Sequence, residues 1–354
     1  MRTWWSPVHR EHRPQIEVND GRAVPHVEVP ERADAVLAAV RAAGLGPVEE
    51  VAVDEPAVRA LASRVHVPEL VDFLAGAWSG WQAAGRDWEA LPTIWPVPGL
   101  GLEPGRPVPR MIEGQLAHWC FDAATPLGAG TWPAVVASAA CALAAADDVA
   151  SGGADGDPGR TAFALCRPPG HHAAPAAYGG YCYLNNAALA AQRLRDRGAA
   201  RVAVLDVDYH HGNGTQAAFW ERPDVLTVSL HADPLDEYPF FSGHPGETGA
   251  GPGEGANLNL PLPLGTGWDT WSAALDTGLA AVVAHGAEAL VVALGVDTYA
   301  GDPISQFRLA TDHYPQVGAR IAALGLPTAV VLEGGYALDA IGPNVVGVLR
   351  GLGR

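Results

Sequence analysis

Arg201 to Gly214 reads RVAVLDVDYHHGNG, and this stretch decides the fold. It opens on Val202-Ala203-Val204-Leu205, an apolar run of the kind that forms a strand buried on both faces. Polar residues then follow at every second position: Asp206, Asp208 and His210. Side chains alternate across a strand, so an extended chain carries all three on one side. Two carboxylates and an imidazole leaving one strand end are poor packing residues, because buried acids are costly unless paired or bound to a cation. Asp208 and His210 suit Zn²⁺ or a similar ion. Asp206 is either a further ligand or an anchor that orients one. The Gly212-Asn213-Gly214 turn lets backbone come close to whatever binds there.

Working outward, apolar strands are expected at 161–166, 225–230, 288–294 and 328–332. Helical spacing marks 31–43, ending at Gly44, then 68–84, 132–149, 185–197, a short piece after Gly214, 267–285, 306–324 and a last helix from about Ile341. Residues 1–30 read as a short strand and a long loop. Strands alternating with helices imply an α/β protein, a mostly parallel sheet with helices on both faces. No clean linker interrupts the chain, so residues 1–354 are expected to form one domain. The Pro- and Gly-rich stretch from Gly85 to Pro109 has no period and is too long for an ordinary connection, which marks a functional or interface loop. Trp78, Trp81, Trp88, Trp95 and Trp119 lie around it, either as core packing or as the rim of a site or subunit contact.

The chain has 354 residues, long enough for a substantial core. Its formal charge is −17, and every basic residue is Arg. That acidity argues against nucleic acid and anionic membranes as partners and favours cationic small molecules at a cleft. Four cysteines, Cys120, Cys141, Cys166 and Cys182, show no disulfide or metal-knuckle spacing, as expected of reduced thiols in a cytoplasmic protein. The N-terminus lacks an apolar signal core, and no run of about 20 uninterrupted apolar residues predicts a transmembrane helix.

In open α/β sheets ligands bind beyond the carboxyl ends of the strands. Each expected strand ends in chemistry: Arg167 to His172 (RPPGHH), Asp206/Asp208/His210, Ser229-Leu230-His231, Gly295-Val296-Asp297 and Glu333-Gly334-Gly335-Tyr336. Asp297 can complete a three-ligand set with Asp208 and His210, leaving a position open as catalytic zinc requires. His171 and His172 are adjacent and serve as two separate acid–base groups, with Asp206 and Asn213 as the partners that set their protonation. Tyr336 in a Gly-Gly turn presents a hydroxyl to an oxyanion. His211, His231 and His244 have no ligand spacing and read as structural. Together these groups spell metal-assisted hydrolysis of an acyl bond.

RPPGHH, GGYCYLNNAA (Gly179 to Ala188), LDVDYHHGNGTQ (Leu205 to Gln216), LGVDTYAGDPIS (Leu294 to Ser305) and EGGY resemble the zinc-dependent deacetylase family that includes histone deacetylases. EGQLAHWCFDAATPLGAGTW (Glu113 to Trp132) and the DPIS form are most similar to the bacterial acetylpolyamine amidohydrolases. The resemblance implies the arginase–deacetylase fold. It implies one catalytic zinc, with Fe²⁺ or Co²⁺ as other candidates, on Asp208, His210 and Asp297. It makes His172 the general base, His171 its electrostatic partner and Tyr336 the oxyanion donor. It implies a narrow tunnel walled by Tyr181 and Tyr238, with Gly180 and Ile304 beside them and Glu113 as an acid at the entrance. A structural K⁺ is implied near Asp206 and Ser229, using carbonyls of Asp208, His210 and Leu230. It also implies a homodimer whose loop, about 85–115, narrows the entrance.

The chain departs from the family in places. Leu70 stands where a His-x-x-x-Tyr pattern beginning at His66 has Tyr, the wall residues are Tyr rather than Phe, and Ala124 replaces a second entrance acid for which Asp122 is a substitute. The expected activity is removal of acetyl groups from acetylated polyamines or similar small cationic amides. Protein acetyl-lysine deacetylation is the alternative within the family. A dinuclear arginase-type hydrolase would need more carboxylates after His210 than His211-Gly212-Asn213 offers. A non-catalytic acyl-ligand binding protein would have lost Tyr336 or a histidine.

Overall fold

The computed structural model describes residues 1–96, 107–152 and 161–353. Its elements run β1 (Arg2–Trp5), β2 (Ile16–Asn19), β3 (Arg22–Pro25), α1 (Pro30–Ala43), β4 (Val48–Glu50), α2 (Glu55–Ala62), α3 (Pro68–Ala83) and α4 (Ile112–Trp119). They continue with α5 (Thr131–Ala150), β5 (Thr161–Ala164), α6 (Asn186–Asp196), β6 (Val202–Asp206), α7 (Asn213–Phe219), β7 (Val225–Ala232) and β8 (Asn257–Leu262). Last come α8 (Trp268–His285), β9 (Ala289–Leu294), α9 (Tyr314–Ala322), β10 (Thr328–Leu332) and α10 (Ile341–Leu352).

Apart from Asp206 at the end of β6 and Thr328 at the start of β10, strands β6, β9 and β10 are apolar, and the period of two divides them between two cores. Val202 and Val204 of β6, Val291 and Ala293 of β9, and Ala329 and Val331 of β10 face one core with α3, α5 and α6. Ala203 and Leu205, Leu290 and Val292, and Val330 and Leu332 face the other with α1, α8, α9 and α10. Burial on both faces is what a parallel sheet demands. The sheet has eight strands in the order β4-β1-β5-β10-β9-β6-β7-β8, each neighbouring pair parallel. A separate β2–β3 hairpin turns at Asp20-Gly21, both with positive φ.

Helix ends follow local chemistry. Gly44 and Gly286 close α1 and α8 in the left-handed conformation. Asn185 caps α6, its side chain accepting from Ala188 N–H. α5 is long and apolar enough to cross a membrane, but most of it is buried against the sheet and its neighbours. The four cysteines are free and buried.

Several elements differ from the sequence reading. The helix expected over 306–324 is shorter: Pro315 fixes its first turn, so α9 begins at Tyr314 after a tight turn at Thr311–His313. Residues before it bury Phe307 and Leu309 in an extended path. β8 went unread because Asn and Pro depress strand propensity; it survives as an edge strand. β1 does not sit apart but pairs with β4 and β5 in the main sheet. α2 and α4 are helices that short length hid. Of the loop expected at about 85–115, residues 97–106 lie outside the described residues. Trp81 and Trp119 are core residues, whereas Trp88 is exposed.

Candidate active site

β6 ends at Asp206, but the alternation runs on: Val207 and Tyr209 join the same core as Ala203 and Leu205. The chain then turns on its own carboxylates: Asp206 Oδ1 accepts from Asp208 N–H at 3.1 Å, and Asp208 Oδ1 accepts from His210 N–H at 2.9 Å. Asp206, Asp208 and His210 therefore lie on one side, as expected, with His171 against both Asp206 and Asp208. Asp206 turns to His171, while Asp208 and His210 converge with Asp297 from the end of β9.

His210 Nδ1 lies 3.3 Å from Asp208 Oδ1 and 3.2 Å from Asp297 Oδ2. All three residues are buried, and their ligand atoms lie within 4.8 Å of one another. The other oxygens are used: Asp208 Oδ2 accepts from Gly334 N–H at 2.8 Å, and Asp297 Oδ1 from Tyr209 N–H at 2.9 Å. Burial, with the Asp208 charge beside it, raises the Asp297 carboxyl to about 7. Asp297 Oδ2 is buried without a hydrogen-bond partner. Two buried carboxylates and an imidazole converging in this way, with Asp297 Oδ2 unbonded, fit a divalent metal ion. Bare backbone makes room for this: a Cβ on Gly295 would lie 2.0 Å from Asp208 Oδ2, and one on Gly334 2.4 Å from Asp297 Oδ2.

The tandem histidines follow β5. Glu333 Oε2 at the end of β10 accepts from Gly170 N–H at 2.6 Å and from His171 N–H at 3.1 Å, which fixes their turn. His171 Nδ1 is 2.9 Å from Asp206 Oδ2, and His172 Nδ1 is 2.7 Å from Asn213 Oδ1. Burial alone would lower His171, but Asp206 and Asp208 outweigh it and raise it to about 10. Burial, then the neighbouring His171 and His210, push His172 well below its ordinary value. One imidazole is thus held charged and its neighbour neutral, with ring centroids 4.0 Å apart.

Tyr336 follows β10, its N–H donating to Asp302 Oδ2 at 2.7 Å. Arg32 of α1 lies 4.5 Å over its ring and donates to the carbonyls of Gly335 and Glu333 at 2.5 and 2.6 Å. Glu28 Oε1 holds Arg32 at 2.8 Å and Arg167 at 2.8 Å, all buried. Burial pushes the Tyr336 hydroxyl up, so it remains a donor. Arg32, Glu28 and Glu17 escaped the sequence reading; Glu333 was seen only as part of the EGGY turn. Arg32 lies in an ordinary helical pattern, and no local signal marks it.

Tyr181 stands 5.7 Å from Tyr336, and Tyr238 stands 5.1 Å from His172 and 6.0 Å from His210. Both rings flank the cluster. Gly180 has φ +61, and a Cβ there would lie 2.3 Å from His172 Cδ2. The Tyr181 hydroxyl bonds to Glu17, a carboxyl that burial raises to about 7. Ile304 lies partly exposed beyond Asp302, its N–H bonded to Asp302 Oδ1 at 3.2 Å. Glu113 on α4 is not joined to this cluster; its contacts run to Arg86, which lies over Trp81. Asp122 is not a free entrance acid, since its carboxylate is taken up by Gly180, Ala124, Thr125 and Tyr238.

Asp206 pairs with Ser229 in the β6–β7 register, beside a small polar cavity also lined by His211, Thr215 and Asn257. Ser229 Oγ lies 2.8 Å from His231 Nδ1, and His231 Nε2 2.9 Å from the Gly243 carbonyl oxygen. His211 and His231 are thus tied into packing, as their spacing implied. Cavities of about 550 Å³ near Trp88 and about 630 Å³ near Asp147 lie elsewhere and hold none of the cluster residues. Convergent ligands mark the site better than volume does.

A parallel α/β sheet whose strand ends gather a candidate metal-ligand triad, a tandem histidine pair and a buried tyrosine matches the metal-dependent hydrolases of the arginase–deacetylase fold. Comparison with known proteins agrees. The histone deacetylase domain matches residues 26–352. The chain is 49% identical to acetylpolyamine amidohydrolase 1 of Pseudomonas aeruginosa, over 99% of this chain and 98% of that one. It is 46% identical to the acetylpolyamine amidohydrolase of Mycoplana ramosa, over 99% of each. The crystal structure of the acetylpolyamine aminohydrolase from Burkholderia pseudomallei superposes with a TM-score of 0.91 at 42% identity, covering 100% of this chain and 98% of that one. The chain belongs to the histone deacetylase family and is a deacetylating hydrolase.

Proposed function

We propose that this protein is a zinc-dependent amidohydrolase that removes acetyl groups from acetylated polyamines or similar small cationic amides. The observation that carries the reading is His172 set beside the Asp208–His210–Asp297 triad, its Nδ1 committed to Asn213. The triad would hold the ion. When bound, the ion supplies a Lewis acid that polarises an acyl oxygen and lowers the pKa of a water. His172, with Nδ1 protonated by its bond to Asn213, has Nε2 free to take a proton and return it to the leaving amine. His171, kept charged by Asp206, adds positive charge as the oxyanion builds. Tyr336, steadied by Arg32, donates its hydroxyl to that oxyanion.

The names of the relatives and the net charge of −17 support a cationic acetylated substrate. Tyr181 and Tyr238 would wall the tunnel for its methylene chain, with Gly180 and Ile304 alongside. Asp206, Ser229 and Leu230, with the carbonyls of Asp208 and His210, would hold a structural K⁺. Residues 1–354 acting as one domain, a homodimer using the 85–115 region and a cytoplasmic location complete the proposal. The test is a panel of acetylputrescine, acetylcadaverine, acetylspermidine and acetyl-lysine peptides assayed with zinc-loaded protein. Higher kcat/KM on the acetylpolyamines is expected; a peptide that outperforms all of them overturns the substrate assignment.

A further inference from the structure

The two tyrosine walls meet at one carboxylate. Asp122 follows α4, and its Oδ2 accepts from Gly180 N–H at 2.6 Å and from the Tyr238 hydroxyl at 2.9 Å. Its Oδ1 accepts from Ala124 N–H at 3.0 Å and from the Thr125 hydroxyl at 2.9 Å. Thr125 Oγ1 in turn accepts from Tyr181 N–H at 2.9 Å. A single side chain is therefore bonded to the Gly180–Tyr181 wall, directly and through Thr125, and to the Tyr238 wall opposite. Phe121, the residue before it, stacks on Tyr238 with centroids 6.4 Å apart. Phe in place of Tyr238 would have no such tie.

We propose that Asp122 is a specificity-determining residue that fixes the separation of the two walls, so that an unbranched amide chain passes and a branched one does not. The inference rests on the reading of Tyr181 and Tyr238 as tunnel walls. Its physical basis is that hydrogen bonds to an ionised acceptor are strong and short, and that their loss strands the donors. Without the carboxylate, Gly180 N–H and the Tyr238 hydroxyl lose their shared acceptor, and the Tyr238 ring is free to swing from its place beside His172.

The test compares two uncharged acetamides, one with a straight alkyl chain and one with a branched chain, alongside acetylputrescine and an acetyl-lysine peptide. In Asp122→Ala the straight-to-branched ratio of kcat/KM should fall at least about tenfold, the scale on which a pocket discriminates by shape. Tyr238→Phe, which removes one of the four bonds, should give a smaller fall in the same direction. If Asp122→Ala fails to fold, the double variant Thr125→Val, Tyr238→Phe carries the same expectation. An unchanged ratio at wild-type metal content and Tm overturns the proposal. So does a shift confined to the charged substrates, which would mean that Asp122 acts by charge rather than by spacing. Should the wild type prefer the peptide to acetylputrescine, the polyamine reading falls while the uncharged pair still tests Asp122.

Discussion

His172 Nδ1 and Asn213 Oδ1 lie 2.7 Å apart, and Asn213 Nδ2 reaches back to the His172 carbonyl at 3.3 Å. The amide can satisfy both contacts only with its oxygen toward the ring, so the ring proton sits on Nδ1. His172→Ala should therefore cost at least the ~10²–10⁴-fold in kcat typical of a general base. Asn213→Asp should alter the pH profile more than the KM, because it places a charge on the same contact. Steady-state kinetics across pH checks both; wild-type turnover in His172→Ala would remove the histidine from the reaction.

Tyr336→Phe should lower kcat by ~10²–10³-fold, the value of one oxyanion donor, with little change in KM. Asp208→Ala and His210→Ala should instead lose bound metal as well as activity, which elemental analysis reads directly. Stoichiometric zinc in either triad variant would refute the ligand set.

Gly180→Ala is expected to inactivate without emptying the triad. Its φ of +61 strains any other residue, and the new Cβ would meet the His172 ring. Metal content should stay near wild type while kcat falls; a variant of normal activity would show that the ring has room to move.

Glu28 governs acid stability. Burial alone would raise its carboxyl, but the guanidinium groups of Arg167 and Arg32 prevail and lower it from 4.5 to about 2. A depressed carboxyl stabilises the fold fully above its unfolded value, and that stability is lost as pH falls from about 4.5 through about 2. Glu28→Gln strands two buried guanidinium groups and should cost about 3–5 kcal/mol. It should also flatten the pH dependence of denaturant midpoints in that window. An unchanged midpoint at pH 7 would mean that the arginines find other partners.

At Glu113 the structure shrinks the expected effect. The side chain is partly exposed and paired with Arg86, so its pull on a cation is already shared. Glu113→Gln should raise KM for acetylputrescine only about two- to fivefold, since solvent and Arg86 already screen its charge. Added salt should erase the difference.

The sequence reading succeeded where chemistry follows a strand end. Asp206 closes β6, and Asp208, His210, Asp297, His171, His172 and Tyr336 follow strands of a parallel sheet; a doubly buried strand is the easiest pattern to read. It stopped short where function is borrowed across the chain. Arg32 supports Tyr336 from a contact 303 residues away at Gly335, and nothing in α1 announces it. Glu17 reaches Tyr181 from a short hairpin with mostly exposed neighbours. Asp122 looked like an acid for a ligand because composition cannot tell a free carboxylate from a bonded one. The Asp206–Asp208–His210 alternation was legible because Val207 and Tyr209 keep to the core of Ala203 and Leu205 even after the strand's hydrogen bonding ends.

The strand order also bears on how the chain comes to be folded. β10 is made after the other described strands, yet it lies in the middle of the sheet between β5 and β9. Until residues 328–332 leave the ribosome, both neighbours present bare edges, and the Glu333 clamp on the tandem histidines is missing. A nascent chain therefore cannot acquire a working centre piecemeal. It must remain unfinished, with two adhesive edges, until residues 328–333 have been made. A stalled or prematurely terminated message would yield an aggregation-prone fragment rather than a partly active enzyme.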